Sequence, residues 1–259
     1  MKFVDVHIHL SDDEYSGCVD DIVREARASN VVALVSNSMD LKTSLKSLEL
    51  AEQFQGTVYA ALGIHPWTVN DLTEDELQQT IDLISKQPRD GSLVAIGEIG
   101  LDFKYMKIWD KQMRVFDSML HLAERLHLPV IVHSRGTTVQ IVDMLPSYNV
   151  KKVLLHWFSN PKSALSKAVE KGFYISEGAP TLFSNGIRDI VKRVPLENLL
   201  TETDGPIRFS RSPFEGKRTT PAFIPVIVNA IAELRKVDPE NVAEHAVKNF
   251  EDFFGIRLN

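Results

Sequence analysis

Eight short apolar runs, separated by segments of helical periodicity, constrain the fold of this chain more tightly than any other feature. Strand-like runs occupy Phe3–His9, Val31–Ser36, Val58–Ile64 and Leu93–Ile99, then Pro129–His133, Val153–His156, Phe173–Ser176 and Asn198–Asp204. Helical patterns fill most intervals: Val19–Ala28, Leu41–Phe54, Glu74–Lys86, Trp109–Leu126, Thr138–Leu145, Pro161–Lys171 and Ile187–Arg193. Phe223–Arg235 and Pro239–Phe254 follow the last run, the latter as an extra C-terminal helix. Strands that alternate with helices imply a parallel sheet. Eight such units in 259 residues predict an α/β protein of the (β/α)8 TIM-barrel type. An open doubly wound sheet would call for a Gly-rich phosphate fingerprint after the first strand, and none is present.

At about 150 residues per domain the length suggests two domains, but barrels routinely reach ~250 residues as one. No linker-like stretch divides the sequence, so the expectation is a single barrel domain over residues 1–259. The formal net charge of -6 argues against broad non-specific attraction to nucleic acid, while leaving room for a local basic patch. Cys18 is the only cysteine, which excludes an internal disulfide framework. The chain passes from Met1-Lys2 into a strand-like run without a signal-peptide hydrophobic region, and no apolar stretch approaches the ~20 residues of a spanning helix. These features predict a soluble, cytoplasmic protein.

Residues able to hold a cation close several of the runs. His7 and His9 lie in FVDVHIHL, Glu98 in VAIGEIGLDF, His133 in PVIVHS, His156 in VLLHWF and Asp204 in LLTETD. Strand residues two apart share a face, so His7 and His9 form one half-site with Asp5 in phase behind them. Asp5 is expected to accept a ring N–H and so fix the tautomer. A carboxylate aimed into a barrel mouth is costly unless paired or bound to a cation, and the two oxygens of Glu98 suit a bridge between two ions. A lone histidine at a strand end is more often a packed core residue than a ligand. Its recurrence at His133 and His156, on consecutive runs, shifts that balance. Asp204 is expected to ligate an ion and take a proton from water, with Glu202 one pleat deeper as its support. His121, His127 and His245 fall on or beside predicted helices and are expected to be structural or at the surface.

The blocks DVHIHL, GIHPW, GEIGLDF, PVIVHSR, LLHWFS, LLTETDGP and NFEDFFG run through the full chain and resemble the TatD family of metal-dependent deoxyribonucleases. The resemblance implies a (β/α)8 barrel with a divalent, dinuclear metal centre that hydrolyses DNA phosphodiesters, with a 3′-exonuclease as the nearest analogy. It places the family's ligands on His7, His9, Glu98, His133, His156 and Asp204, and a further active-site histidine on His65. The chain departs from the family pattern at Ser159-Asn160-Pro161, at Gly205-Pro206-Ile207 and at Arg218-Thr219-Thr220-Pro221, all on the substrate rim.

Arg135, just past His133, is placed to hold a phosphate, and His65 to contact or protonate a substrate oxygen. The long segment Gly205–Pro221 adds Arg208, Arg211, Lys217 and Arg218 against only Glu215. Loops after the last two barrel strands often bind phosphate, so Arg208, Arg211 and Arg218 are expected at the substrate. With Trp67, Phe103, Trp157 and Phe209 nearby, this rim suits DNA bound single-stranded or end-on. Four imidazoles favour two ions such as zinc or manganese, whereas magnesium prefers oxygen ligands. The alternative expectation is hydrolysis of a carbonyl substrate: an amide, a lactone or a D-aminoacyl-tRNA ester.

Overall fold

In the computed structural model, residues 1–87, 91–159 and 161–258 are described, and the Asn160 departure noted above lies outside them. Eight parallel strands form one sheet in chain order. They are β1 (Phe3–Ile8), β2 (Val31–Asn37), β3 (Val58–Leu62), β4 (Leu93–Gly100), β5 (Val130–His133), β6 (Val153–Leu155), β7 (Tyr174–Glu177) and β8 (Leu199–Thr201). The last strand returns to the first: Asp204 N–H donates to His7 O at 2.8 Å and His9 N–H to Gly205 O at 2.9 Å. The Thr201 hydroxyl also donates to Val4 O at 2.6 Å. This is a (β/α)8 barrel, as the run spacing predicts.

The crossover helices are α1 (Val19–Ala28), α2 (Leu41–Gln53), α3 (Glu74–Ser85), α4 (Trp109–Leu126), α5 (Thr138–Met144), α6 (Lys162–Glu170) and α7 (Asn185–Arg193). After β8 come α8 (Ile224–Arg235) and α9 (Pro239–Phe254). Local chemistry sets their ends. Asp40 and Thr73 each form a reciprocal capping box, with Thr43 and with Glu76, satisfying N–H groups that the first turn leaves free. Asp238-Pro239 opens α9, and Gly255, with φ of 71°, closes it. Short 3-10 turns at Asp13–Tyr15, Phe103–Ile108 and Ala179–Leu182 lie in stretches that carry no clear periodicity. No helix among the described residues is long and apolar enough to cross a membrane.

The apolar core has two parts. Large residues of the helices pack outside the sheet, while Val4, Val6, Ala33, Val35, Ile131, Leu154 and Leu200 fill the barrel itself. Phe250 and Phe253 of α9 join that inner cluster, Phe250 against Tyr59 and Phe253 against Tyr174. With one end of the barrel plugged by aromatics, the polar strand-end residues gather at the other. Two glycines permit close approach there. Gly100 has φ of +148°, and a Cβ on it would collide with the carbonyl oxygen of His133. It lets β4 and β5 come together beside Glu98 and His133. Gly205 would meet the Tyr15 hydroxyl in the same way, at the point where the chain leaves Asp204.

Candidate metal centre

The strand ends bring His7, His9, His65, Glu98, His133, His156 and Asp204 together, each buried or nearly so. His7 lies on β1 and His9 just past it; Glu98 is on β4 and His133 ends β5. His156 directly follows β6, while His65 and Asp204 sit in the turns after β3 and β8. Asp204 has φ of 52°, a left-handed conformation that a non-glycine residue adopts at some cost and that recurs at functional sites.

Donor atoms converge in two sets around the Glu98 carboxylate. On one side, His7 Nε2 and His9 Nε2 are 3.3 Å apart, and Glu98 Oε2 lies 3.2 and 3.4 Å from them. Asp204 Oδ1 completes this set at 3.6 and 3.5 Å from the same two nitrogens. On the other side, Glu98 Oε1 lies 2.9 Å from His133 Nδ1, 2.8 Å from His156 Nε2 and 3.2 Å from His65 Nε2. His133 Nδ1 is also 3.3 Å from His65 Nε2 and 3.5 Å from His156 Nε2. His7, His9 and Asp204, His7, Glu98 and His156, and His65, Glu98 and His133 are groups that could each hold a metal ion.

Outer hydrogen bonds fix several ring states. His9 Nδ1–H donates to the Asn37 carbonyl at 2.9 Å, which leaves a lone pair on Nε2 facing the carboxylates. His133 Nε2–H donates to Asp102 Oδ2 at 3.0 Å and turns a lone pair on Nδ1 toward Glu98. His65 is the opposite case. Its Nδ1 accepts the Trp67 backbone N–H at 3.0 Å, so the proton of the neutral ring sits on Nε2 and points at Glu98. Burial lowers the His65 pKa to about 4, against the pull of Glu98, and the ring is neutral near pH 7.

The carboxylates stay ionised. Burial opposes charge on Glu98, but His65, His156 and His7 outweigh it and hold the acid well below its ordinary value. Asp204 is lowered in the same way, against burial, by the His9 hydrogen bond and the charges of His156, His7 and His9. In turn His9, His133 and His156 are raised, against burial, by their carboxylate neighbours. Burial and the neighbouring His156 lower His7, whose ring stacks on that of His156 at 3.9 Å.

Asp5 corrects an expectation. Its Oδ1 accepts the backbone N–H groups of His7 (3.2 Å) and Thr203 (3.1 Å), and its Oδ2 takes the Thr203 hydroxyl. It therefore clamps the backbone of β1 to the segment after β8 rather than orienting a ring, and His7 Nδ1 has no hydrogen-bond partner among the described residues. Alternation puts Asp5 in phase with His7 in the sequence, but Val4 and Val6 on either side of it join the inner cluster and the strand pairing shifts register between Asp5 and Ile8. The donor nearest a short Asx side chain is the backbone two residues on. Glu202 lies behind His156, with Oε1 accepting the Trp157 N–H at 3.0 Å and Oε2 accepting the Ser176 hydroxyl. His121 and His245 are at the surface, and His127 caps α4 in a left-handed conformation.

Sequence reasoning missed Asp102. This fully buried carboxylate takes hydrogen bonds from His133, from Trp67 Nε1 at 2.7 Å and from Arg135 Nε at 3.1 Å, with Arg135 Nη2 at 2.7 Å. Burial opposes its charge, but these partners hold its pKa well below the usual carboxylate range. Its signal was its place in phase with Glu98 in GEIGLDF.

A cavity of about 630 Å³ opens over the cluster, lined among others by Trp67, Arg135, Trp157, Ile207 and Arg208. Arg211 and Arg218 do not line it. Arg208 forms an ion pair with Glu14 at 2.7 Å, and Arg218 donates to the Glu14 carbonyl at 2.7 Å while its guanidinium lies over the Tyr15 ring. Counting charges within the Gly205–Pro221 segment overlooked Glu14, which arrives from the turn after β1. Of the four aromatics, Trp67 and Trp157 line the cavity, whereas Phe209 is buried and Phe103 is exposed.

A parallel barrel with histidines and carboxylates converging at its strand ends defines a metal-dependent hydrolase. The family described as TatD related DNase matches residues 4–255, and the chain belongs to that family. It is 33% identical over 261 residues to the human deoxyribonuclease TATDN3, covering 96% of this chain and 93% of the relative. It is 31% identical over 261 residues to the metal-dependent hydrolase YabD of Bacillus subtilis, covering 97% and 98% of the two chains. The crystal structure of YjjV, a TatD homologue from Escherichia coli, superposes with a TM-score of 0.91 at 28% identity, covering 98% of each chain.

Proposed function

We propose that the chain is a deoxyribonuclease, acting as one hydrolase unit over residues 1–259, whose strand-end cluster would hold two divalent cations, with one oxygen of Glu98 available to each donor set. The observation that carries this reading is the spacing of the donors. Around a tetrahedral centre with bonds of about 2.0–2.2 Å, neighbouring donors lie roughly 3.3–3.6 Å apart. The set of His7 Nε2, His9 Nε2, Glu98 Oε2 and Asp204 Oδ1 has five edges of 3.2–3.6 Å. The ring states point the same way. With its Nδ1 proton given outward to Asn37, His9 turns Nε2 to two anionic oxygens, a contact that a shared proton or a cation between them makes favourable, and a neutral His9 offers a lone pair there for a cation.

The second set is Glu98 Oε1, His133 Nδ1 and His156 Nε2, with the Nε2–H of His65 facing the fourth side. Three protein donors with one position free is the pattern of a catalytic rather than a structural site. The imidazole content favours zinc or manganese, with magnesium as an activating ion in solution. Bound cations there would supply Lewis acidity for a phosphoryl oxygen and acidify a water.

The protein groups do the remaining work. Asp204, ionised at the cavity wall, accepts a proton from the attacking water. Arg135, its guanidinium held by Asp102, binds a non-bridging phosphate oxygen. His65, neutral with its proton on Nε2, serves as a hydrogen-bond donor that steadies Glu98 or a substrate oxygen; its low pKa suits it poorly to protonating a leaving group. Arg208 meets the substrate only by leaving Glu14. The deoxyribonuclease name of the human relative supports DNA as the substrate, and the aromatic rings of Trp67 and Trp157 at the cavity favour a single strand or an end, whose bases are free to stack, over continuous duplex.

The deciding experiment incubates zinc-, manganese- and magnesium-loaded protein with labelled single-stranded DNA and with a D-aminoacyl-tRNA. Cleavage of DNA with at least one metal is expected. DNA left intact with all three, together with release of the amino acid, overturns the nuclease reading in favour of carbonyl hydrolysis.

A further inference from the structure

We propose that a groove beside the metal centre is a second nucleotide subsite, which stacks the base adjoining the scissile phosphodiester and holds the next phosphate on Arg211. This rests on the nuclease reading above and adds a substrate requirement to it: an unpaired stretch of more than one nucleotide.

The groove, about 360 Å³, is lined by Trp157, Phe183, Phe209 and Ile207, with Ser159 and Ser184 at its polar edge. Trp157, Ser159 and Ile207 also line the main cavity, so the two spaces are continuous. The aromatic rings form a connected wall, with Trp157 and Phe209 centroids 6.3 Å apart and Phe183 and Phe209 centroids 5.7 Å apart. Trp157 sits where the two spaces meet. Its φ of 40° is a left-handed conformation that a bulky residue rarely adopts. Glu202 holds it there by accepting its backbone N–H, and Glu202 also stands behind His156. The same carboxylate thus ties the rim tryptophan to the metal cluster.

The state of the arginines separates this groove from the rest of the rim. Arg135 is committed to Asp102, and Arg208 and Arg218 to Glu14. Arg211 has no ion-pair or side-chain hydrogen-bond partner among the described residues; its guanidinium lies 6.0 Å from the Phe183 ring centroid. An exposed, uncommitted guanidinium over an aromatic wall matches a nucleotide in both its parts. The base stacks on the rings, and the phosphate takes the fork of donors. A base within a duplex has both faces covered by its neighbours, whereas an unpaired base offers one to Trp157 or Phe183.

The test compares metal-loaded wild type with Arg211→Glu and Phe183→Leu on two kinds of substrate. Trithymidylate carries a second base and a second phosphate; the methyl esters of thymidine 3′- and 5′-phosphate keep a phosphodiester but lack both. Wild type is expected to show a KM about tenfold lower for trithymidylate than for the esters. Both variants should lose that advantage, with metal content, and KM and kcat for the esters, unchanged. Equal wild-type KM for the two kinds of substrate overturns the subsite while leaving the nuclease reading intact, as do variants that keep the wild-type KM for trithymidylate. Equal losses on trithymidylate and the esters also overturn it. If wild type cleaves no phosphodiester with any of the three metals, the nuclease reading fails and the subsite falls with it.

Discussion

Asp102 sets the tautomer of His133: its Oδ2 accepts the Nε2 proton at 3.0 Å, and the opposite nitrogen turns its lone pair to Glu98. The same carboxylate anchors Arg135, so one buried residue orients both a histidine of the proposed metal centre and the cation proposed to bind phosphate. Outer partners of metal-binding histidines are worth about 10–100-fold in metal affinity. Asp102→Ala is therefore expected to weaken metal binding by that factor and also to raise KM for DNA. Arg135→Ala should raise KM while leaving metal affinity at the wild-type level. Metal titration alongside steady-state kinetics checks both, and normal metal affinity in Asp102→Ala would sink the assignment.

Glu98 and Asp204 should separate binding from chemistry. Glu98 supplies an oxygen to each donor set, whereas Asp204 contributes to one. Glu98→Ala is expected to lose most of its metal. Asp204→Asn keeps a neutral oxygen in place but cannot take up a proton, so it should retain part of its metal and lose about 10²–10⁴-fold in kcat. Metal analysis of both purified variants and their turnover on DNA decide the point; wild-type turnover in either one contradicts the proposed centre.

Two buried acids give the fold a pH dependence of known sign. Burial pushes Asp5 up to about 8 and Glu177 well above its ordinary value, and neither oxygen of Glu177 has a hydrogen-bond partner among the described residues. Each acid holds its proton in the folded state where the unfolded chain would release it. Their contribution is complete below the ordinary values of 3.8 and 4.5 and declines as pH rises toward the folded values, about 8 for Asp5. A group that takes up one proton on folding changes stability by about 1.4 kcal/mol per pH unit in that window. Glu177→Gln removes one such group. Its stability relative to wild type should rise steadily from pH 5 to pH 8 in denaturant melts, and a constant difference would show that Glu177 is ionised in the folded protein.

The barrel was legible because period and spacing are local properties: each apolar run and each amphipathic segment lies whole within the chain. The strand-end donors were legible for the same reason, since a residue that closes such a run lies at the same end of a parallel barrel as the residues that close the others. Partner choice was not. Asp5 turned to a backbone N–H instead of a ring, and Glu14 engaged two arginines about 200 residues away, Arg208 through its carboxylate and Arg218 through its carbonyl, pairings that only the closed barrel creates. Asp102 lay between these cases, with its phase readable and its three partners not.

The Glu14–Arg208 pair makes a graded prediction about substrate capture. Both side chains are about half exposed, so the ion pair itself contributes little to stability, of the order of 0–1 kcal/mol. It does cancel a cation at the cavity rim. Glu14→Gln should leave the melting temperature close to wild type and lower KM for DNA about two- to fivefold at low salt, with the gain shrinking as ionic strength rises. A KM that is unchanged at low salt would place Arg208 outside the substrate path.

The aromatic plug of α9 carries the last prediction. Phe253 is fully buried, and its ring meets Tyr174 of β7 and Phe254 at centroid distances of 5.2 and 4.7 Å. It closes the barrel at the end away from the metal centre, where no backbone element can shift to fill a void without opening the sheet. Truncation of a buried phenylalanine costs about 3–5 kcal/mol, from lost transfer energy together with an unrelaxed cavity. Phe253→Ala should therefore fall by that amount in denaturant unfolding, while the folded fraction keeps wild-type metal affinity because the donors sit at the opposite strand ends. A large loss of metal affinity in the folded variant would instead mean that α9 sets the strand positions at the mouth, coupling the two ends of the barrel.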